Sequence, residues 1–244
     1  MFDKVPKGRL LYKLDHLRLR GNLHRWIDSF LSDRTFRVKI GDALSRSIDV
    51  LSEVPQGSVL SPLLFVAYTA DIKNIITSIF AIFADDIKLY NVCDNFSSLS
   101  PDRRSFYKWS QVWLLLINLD KCVTLHLGKG NPRHVCSIES YRLATTECHM
   151  DLGVHVCSSL LWSDHILQVT KKANKMLFLL SKTFVKASPL VISKLYKTYV
   201  KPILEFANGV LSPVLRRHIF LLEAVQRKAT RIHSAKIDDH TLIG

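Results

Sequence analysis

Ser78-Ile79-Phe80-Ala81-Ile82-Phe83-Ala84-Asp85-Asp86-Ile87-Lys88-Leu89-Tyr90 is the stretch that decides how this chain is read. An apolar run reaches Phe83, two carboxylates follow, and apolar residues resume at Ile87 and Leu89. That pattern predicts strand, tight turn, strand. Along a strand, adjacent side chains point to opposite faces; a tight turn breaks the alternation, so Asp85 and Asp86 can approach one cation cluster. A bare Asp-Asp dipeptide is more often a solvated acidic turn. The apolar flanks change the balance, because burying a hairpin that carries two charges at its tip is costly without a counter-charge. Magnesium supplies one and takes hard oxygen ligands.

Working outward, Val54-Pro55-Gln56-Gly57-Ser58-Val59-Leu60-Ser61-Pro62 reads as a loop opening a helix through about Ile72. Gly57 lets backbone approach a ligand closely, and Gln56 can both donate and accept hydrogen bonds. Leu10 to Leu31 reads as helix broken at Gly21, and Phe36 to Val50 as a hairpin turning at Gly41-Asp42. A helix is expected over Phe106 to Leu116, a strand over Cys122 to Leu127, and β structure from His134 to Val156. Three helices follow, marked by Ile166 to Leu180, by Val191 to Val200 with a stop near Pro202, and by Ile219 to Ile232. The expected division is residues 1–160 and 161–244.

The 244 residues are 48% hydrophobic, enough for a real core and against global disorder. Net charge is +13, which points to a polyanionic partner rather than to a fold. From Ser163 to Lys236 there are 14 Lys+Arg against 3 Asp+Glu, so the helical region carries most of the excess. Single charge runs are usually solvated helix faces; a bias this one-sided, on helices that also have apolar faces, fits phosphate contact better.

No apolar run approaches the roughly 20 residues needed to span a bilayer, and no signal peptide is evident. Five scattered cysteines argue against a disulfide framework and for an intracellular, reducing compartment, cytoplasm or nucleus. Cys136, Cys148, His149, His155 and Cys157 could ligate zinc, but they lack Cys-x-x-Cys and regular spacing, so scattered structural residues are the better reading. No nucleophile triad, phosphate-binding glycine loop or dinucleotide fingerprint occurs.

Taken together, Pro-Gln-Gly-Ser-Val-Leu-Ser-Pro-Leu-Leu-Phe at 55–65 and Phe-Ala-Asp-Asp at 83–86 resemble motifs B and C of reverse transcriptases of non-LTR (LINE-type) retrotransposons. Phe2-Asp3-Lys4-Val5-Pro6 resembles the tail of motif A, and Asn118 to Cys122 resembles motif D. Asp151 to Val154 with Leu161, Trp162 and His165 resembles the primer-gripping motif E. Lys171 to Lys175, Leu195 to Lys197 and Val225 to Thr230 resemble the thumb.

The resemblance implies an α+β fold: a right-hand palm with an antiparallel sheet and packed helices, then an all-helical thumb, with the fingers missing. It implies RNA-directed DNA synthesis from an RNA template, a DNA primer and dNTPs, with Mg2+ or Mn2+ in a two-metal site. Asp85 and Asp86 would be the catalytic metal carboxylates. Phe2, Gln56, Gly57 and Lys121 would contact nucleotide and template, Lys121 lying near the triphosphate. Lys171, Lys172, Lys175, Arg227 and Lys228 would hold nucleic acid on the thumb.

The family's third metal carboxylate is expected five residues before Phe2, so the site is incomplete within these 244 residues and weak or no activity of this chain alone is expected. Glu53 stands where a glycine is usual, Leu211 where tryptophan is, and Pro101 with Arg103-Arg104 points to a shortened helix before Trp109. These departures fit drift in an inactivated copy. Two alternatives stand beside the polymerase: a non-catalytic basic nucleic-acid-binding remnant, and a translated pseudogene fragment with no stable fold.

Overall fold

The computed structural model describes residues 2–50, 52–92, 99–211 and 215–241, with side chains from residue 3 to 232. Helices and short antiparallel strands are mixed, in two compact units: residues 1–124 with 132–144, and residues 125–131 with 145–244.

In the first unit, α1 (Lys7–His16) and α2 (Gly21–Leu31) replace the single broken helix. The break falls between them, where Arg18 adopts φ +62° and Leu19 N donates back to Leu14 O. β1 (Thr35–Phe36), β2 (Lys39–Ile40), β3 (Ala43–Leu44) and β4 (Ile48–Asp49) form one exposed hairpin, β1 on β4 and β2 on β3, turning at Gly41-Asp42 as its alternation predicts. α3 (Leu60–Thr69) carries Pro62 in its first turn and runs into a 3-10 stretch at Ala70–Asn74. β5 (Ile79–Phe83) and β6 (Asp86–Tyr90) pair antiparallel.

α4 (Leu99–Val112) starts earlier than the apolar pattern over Phe106 to Leu116 suggests. Its first half buries a charged pair: Asp102 accepts from Thr77 and Ser78, and Arg103 Nε donates to Ser137 O at 3.0 Å. Neither residue is visible to a search for apolar periodicity. β7 (Val123–Leu125), β8 (Ser137–Ile138), β9 (Tyr141–Arg142) and β10 (Ala144–Thr146) follow. Every sheet among the described residues has two strands, not the single larger sheet expected. β1 to β4 are exposed throughout, so no buried face draws them onto a neighbour.

The core of this unit gathers Leu10 and Leu14 of α1, Ile27 of α2, Phe65 and Tyr68 of α3 and Trp109 of α4. At its centre lies a cation. Lys13 Nζ sits 4.6 Å from the Tyr68 ring centroid, 4.5 Å from that of Trp109 and 3.9 Å from that of Trp113. It also donates to Tyr68 O and, at 2.6 Å, to Asp71 Oδ1. Burial pulls the Lys13 ammonium below its usual range, and the Asp71 carboxylate opposes that shift. Burial also pushes the Tyr68 hydroxyl up to about 12; that hydroxyl donates to Trp113 O.

In the second unit, β11 (Cys148–Asp151) and β12 (Val154–Cys157) form a hairpin across Leu152-Gly153, whose φ values are +46° and +83°. A Cβ at Gly153 would lie 3.0 Å from the Phe206 ring, a tight contact, and the positive φ itself favours glycine there. β12 packs on α5 (Ser163–Thr183) within this unit. α6 (Pro189–Leu195) does not stop near Pro202. It passes through a π turn at Tyr196–Val200 into α7 (Lys201–Glu205). Proline has no N–H and crowds the carbonyl four residues back; the wider turn absorbs both effects. α8 (Asn208–Leu211) and α9 (Arg216–Thr241) complete the unit. Its core is Ala173, Leu177 and Leu180 of α5 against Val200 and against Val225 and Ala229 of α9.

The Lys13 cage yields a specific expectation. Lys13→Ala should cost about 2–4 kcal/mol in urea unfolding, because it leaves a cavity among three rings. Lys13→Met refills that volume and should cost less than half as much. The unfolded chain binds the Lys13 proton more tightly than the native one. The unfavourable contribution of that charge is therefore relieved as pH rises from its lowered native pKa toward 10.5. Equal losses in the two variants would contradict the cage.

Candidate active site and basic helices

The β5–β6 register pairs Phe83 with Asp86 and leaves Ala84-Asp85 as a two-residue turn. Ala84 takes φ +51°, a left-handed conformation that costs a non-glycine residue about 1–2 kcal/mol. Asp86 therefore opens β6, while Asp85 lies in the turn. Both carboxylates are exposed, and neither has a hydrogen bond or ion pair among the described residues.

The expectation that this hairpin is buried is corrected. Phe80, Ile87 and Leu89 pack against the core on one face, whereas Ile79 and Phe83 on the other are 73% and 62% exposed. Water solvates the tip, so burial does not itself demand a counter-charge there. What the tip offers is two hard oxygen donors with no competing cation. No third carboxylate, His or Cys joins them at ligand spacing among the described residues.

Asp102, which the sequence reading did not single out, fixes the base of the hairpin. Its carboxylate accepts from Thr77 N at 3.1 Å, Thr77 Oγ1 at 3.0 Å and Ser78 N at 2.7 Å, just before β5. Burial alone would raise its pKa, but the hydrogen bonds from Ser78 and Thr77 outweigh burial and hold it below 3.8. On its inner side the hairpin meets α3 across a cleft lined by Phe65, Val66, Thr69, Phe80, Ile82 and Ala84.

The loop before α3 is a turn in which Ser58 N donates to Pro55 O at 3.3 Å and Gly57 has φ +83°. Ser61 closes it, its hydroxyl 2.6 Å from Ser58 Oγ and donating to Pro55 O. Gln56 and Gly57 are exposed. Glu53 adopts φ +117°, a conformation suited to glycine, and is held by Arg34, which binds its carboxylate at 3.2 Å and its carbonyl at 2.8 Å. Such a backbone costs on the order of 1–3 kcal/mol for a residue with a side chain.

Lys121 is exposed at the end of a 3-10 turn, beside Asp120, which accepts from Tyr141 Oη at 2.7 Å. Phe2 starts a short 3-10 turn, and its side chain lies outside the described residues, as do Cys93, Ser212 and Pro213.

In the second unit, Lys171, Lys172 and Lys175 are exposed on α5, and Arg227 and Lys228 on α9. These two helices pack on each other, so the cations belong to one helical pair. Arg227 is also bonded to Glu223 at 3.0 Å. The expectation of no disulfide is corrected: Cys148 and Cys157 stand opposite each other across the hairpin with their sulfurs bonded at 2.13 Å. A nine-residue separation centred on a two-residue turn is the signal that could have found them. No helix among the described residues is long and apolar enough to cross a membrane.

Asp102 can be tested through pH. Its stabilising contribution is present above pH 3.8 and is lost as pH falls through its lower native pKa. Asp102→Asn should cost about 2–4 kcal/mol near neutrality, and the gap from the parent should shrink below pH 3.8. A gap constant over that range would refute the assignment.

Comparison with known proteins gives the family. Residues 1–179 match the family described as reverse transcriptase (RNA-dependent DNA polymerase). The chain is 28% identical over 94% of its length to the RNA-directed DNA polymerase from mobile element jockey of Drosophila funebris, and 26% identical over the same share to that of Drosophila melanogaster. It is 27% identical over 84% of its length to the probable RNA-directed DNA polymerase from transposon X-element of Drosophila melanogaster. It spans 27%, 27% and 24% of those three proteins, about a quarter of each. With its motif resemblance matched by relatives encoded in non-LTR mobile elements, the chain belongs to the reverse transcriptase family.

Proposed function

We propose that this chain supplies the palm and thumb of an RNA-directed DNA polymerase of a non-LTR retrotransposon. The observation that carries the reading is the exposed Asp85-Asp86 pair at the β5–β6 tip, inside the 1–179 family match. Relatives matched over most of the chain bear the name RNA-directed DNA polymerase.

Two adjacent carboxylates free of any protein cation suit Mg2+, or Mn2+ in its place. Bound by Asp85 and Asp86, such ions would supply the positive charge that stabilises in-line attack of a primer 3′-hydroxyl on the α-phosphate of a dNTP. Asp102 and the packed face of the hairpin keep these carboxylates in place. Gln56 and Gly57 contact the nucleotide and template, with Phe2 beside the sugar. Lys121 stands near the triphosphate as a proton donor to the departing pyrophosphate. Lys171, Lys172, Lys175, Arg227 and Lys228 hold the RNA–DNA duplex by its phosphates. The reaction belongs inside the cell, where RNA template, DNA primer and dNTPs meet.

These 244 residues alone polymerise weakly or not at all. Asp85 and Asp86 are two of the three metal carboxylates that the family resemblance implies, and one face of the β5–β6 hairpin is exposed. Primer extension on poly(rA)/oligo(dT) with Mg2+ should give near-background product. Robust synthesis abolished by Asp85→Asn would overturn the weak-activity reading. Backbone cleavage near residue 85 by bound Fe2+ tests the metal role independently; cleavage unchanged in Asp85→Asn with Asp86→Asn would reject it.

A second reading is favoured by the basic α5–α9 pair: nucleic-acid binding without catalysis. Binding to an RNA–DNA duplex should weaken steeply with salt. Lys171→Ala with Lys175→Ala should lower the log–log slope by roughly 2 if each residue neutralises one phosphate. Unaltered slope in the double variant would remove α5 from the interface.

A further inference from the structure

The Cys148–Cys157 pair takes no part in the proposed polymerase chemistry, and its surroundings are not those of a simple cross-link. Asp164 Oδ2, in the first turn of α5, lies 3.4 Å from Cys157 Sγ and 3.8 Å from Cys148 Sγ. A disulfide carries neither an S–H nor a positive charge, so it gives a carboxylate nothing to bind. Asp164 has no ion pair among the described residues. The three donor atoms all lie within 4.8 Å of one another.

Cys148 and Cys157 face each other across the hairpin, and Asp164 reaches both sulfurs from the start of α5. Two thiolates and a carboxylate are donor types that zinc takes, and a solvent molecule completes a tetrahedral set.

We propose that, when reduced, the β11–β12 hairpin and the start of α5 bind one Zn2+ through Cys148 Sγ, Cys157 Sγ and Asp164 Oδ2, with solvent as the fourth ligand. A thiol or phosphine reductant delivers two electrons to the S–S bond, and two protons complete two thiols. Zn2+ then displaces those two protons and holds both thiolates. The hairpin is closed by a sulfur bond in one state and by the metal in the other. The ion is distinct in chemistry from any at Asp85 and Asp86, which offer only oxygen.

The test uses the full 244-residue chain, reduced with a phosphine under anaerobic conditions and titrated with Co2+. One Co2+ per chain should bind with thiolate-to-cobalt charge-transfer absorption, and Zn2+ should displace it. Cys148→Ser, at an exposed position and so compatible with folding, should weaken binding at least 100-fold. Asp164→Asn should weaken it about tenfold. Bound Zn2+ should also protect Cys148 and Cys157, but not Cys122, from alkylation. Absence of the charge-transfer band, or equal binding by Cys148→Ser or by the oxidised chain, would overturn the proposal. So would equal alkylation of all cysteines with and without Zn2+.

Discussion

The Lys13 ammonium sits at the hub of the first unit's core, and the packing around it has to offset its burial. It lies over the rings of Tyr68, Trp109 and Trp113 and binds Tyr68 O and Asp71 Oδ1. One charge thereby ties α1 to α3, to the turn after α3, and to the end of α4. A buried charge is tolerated only when its lost hydration is replaced. Here three ring faces, one carbonyl and one carboxylate replace it together. The arrangement also fixes how α4 approaches α3, and α4 in turn carries Asp102 to the base of the hairpin.

The hairpin itself was legible from residues 79–90, because period-two alternation and a tight turn leave one pairing that keeps Phe80, Ile87 and Leu89 on a common face. Its environment was not. Sequence patterning cannot say that Ile79 and Phe83 face solvent, since their apolarity suits either side. α4 was misjudged for a related reason: Pro101, Asp102, Arg103 and Arg104 break the apolar rhythm. Two of those residues are buried by partners at positions 77, 78 and 137. Long-range hydrogen bonds leave no periodic trace. The same holds for Lys13: a helical wheel sets it beside Leu10 and Leu17 but shows none of the rings and oxygens that partner it.

Local exceptions are more readable when a residue's chemistry conflicts with its backbone. Glu53 takes φ +117°, a backbone conformation that suits glycine. Arg34 compensates through two contacts to the same residue. Pro202 illustrates the opposite outcome. It was expected to end a helix, yet the chain widens into a π turn and continues to Glu205. Backbone preferences thus set a cost at each position, and neighbouring structure decides whether that cost breaks an element or is absorbed.

The link from Asp102 to Thr77 and Ser78 closes a loop of 24 to 25 residues that contains the entire β5–β6 hairpin. Closing a loop of that size is entropically modest, and an isolated two-stranded hairpin is at best marginally stable in water. During synthesis, the Asp85-Asp86 tip therefore emerges from the ribosome before the residue that anchors its base. At roughly 5–20 residues per second, a delay on the order of seconds separates the two. Until Asp102 arrives, the acidic tip is made but not yet held, and its folding is timed by a helix that follows it in the chain.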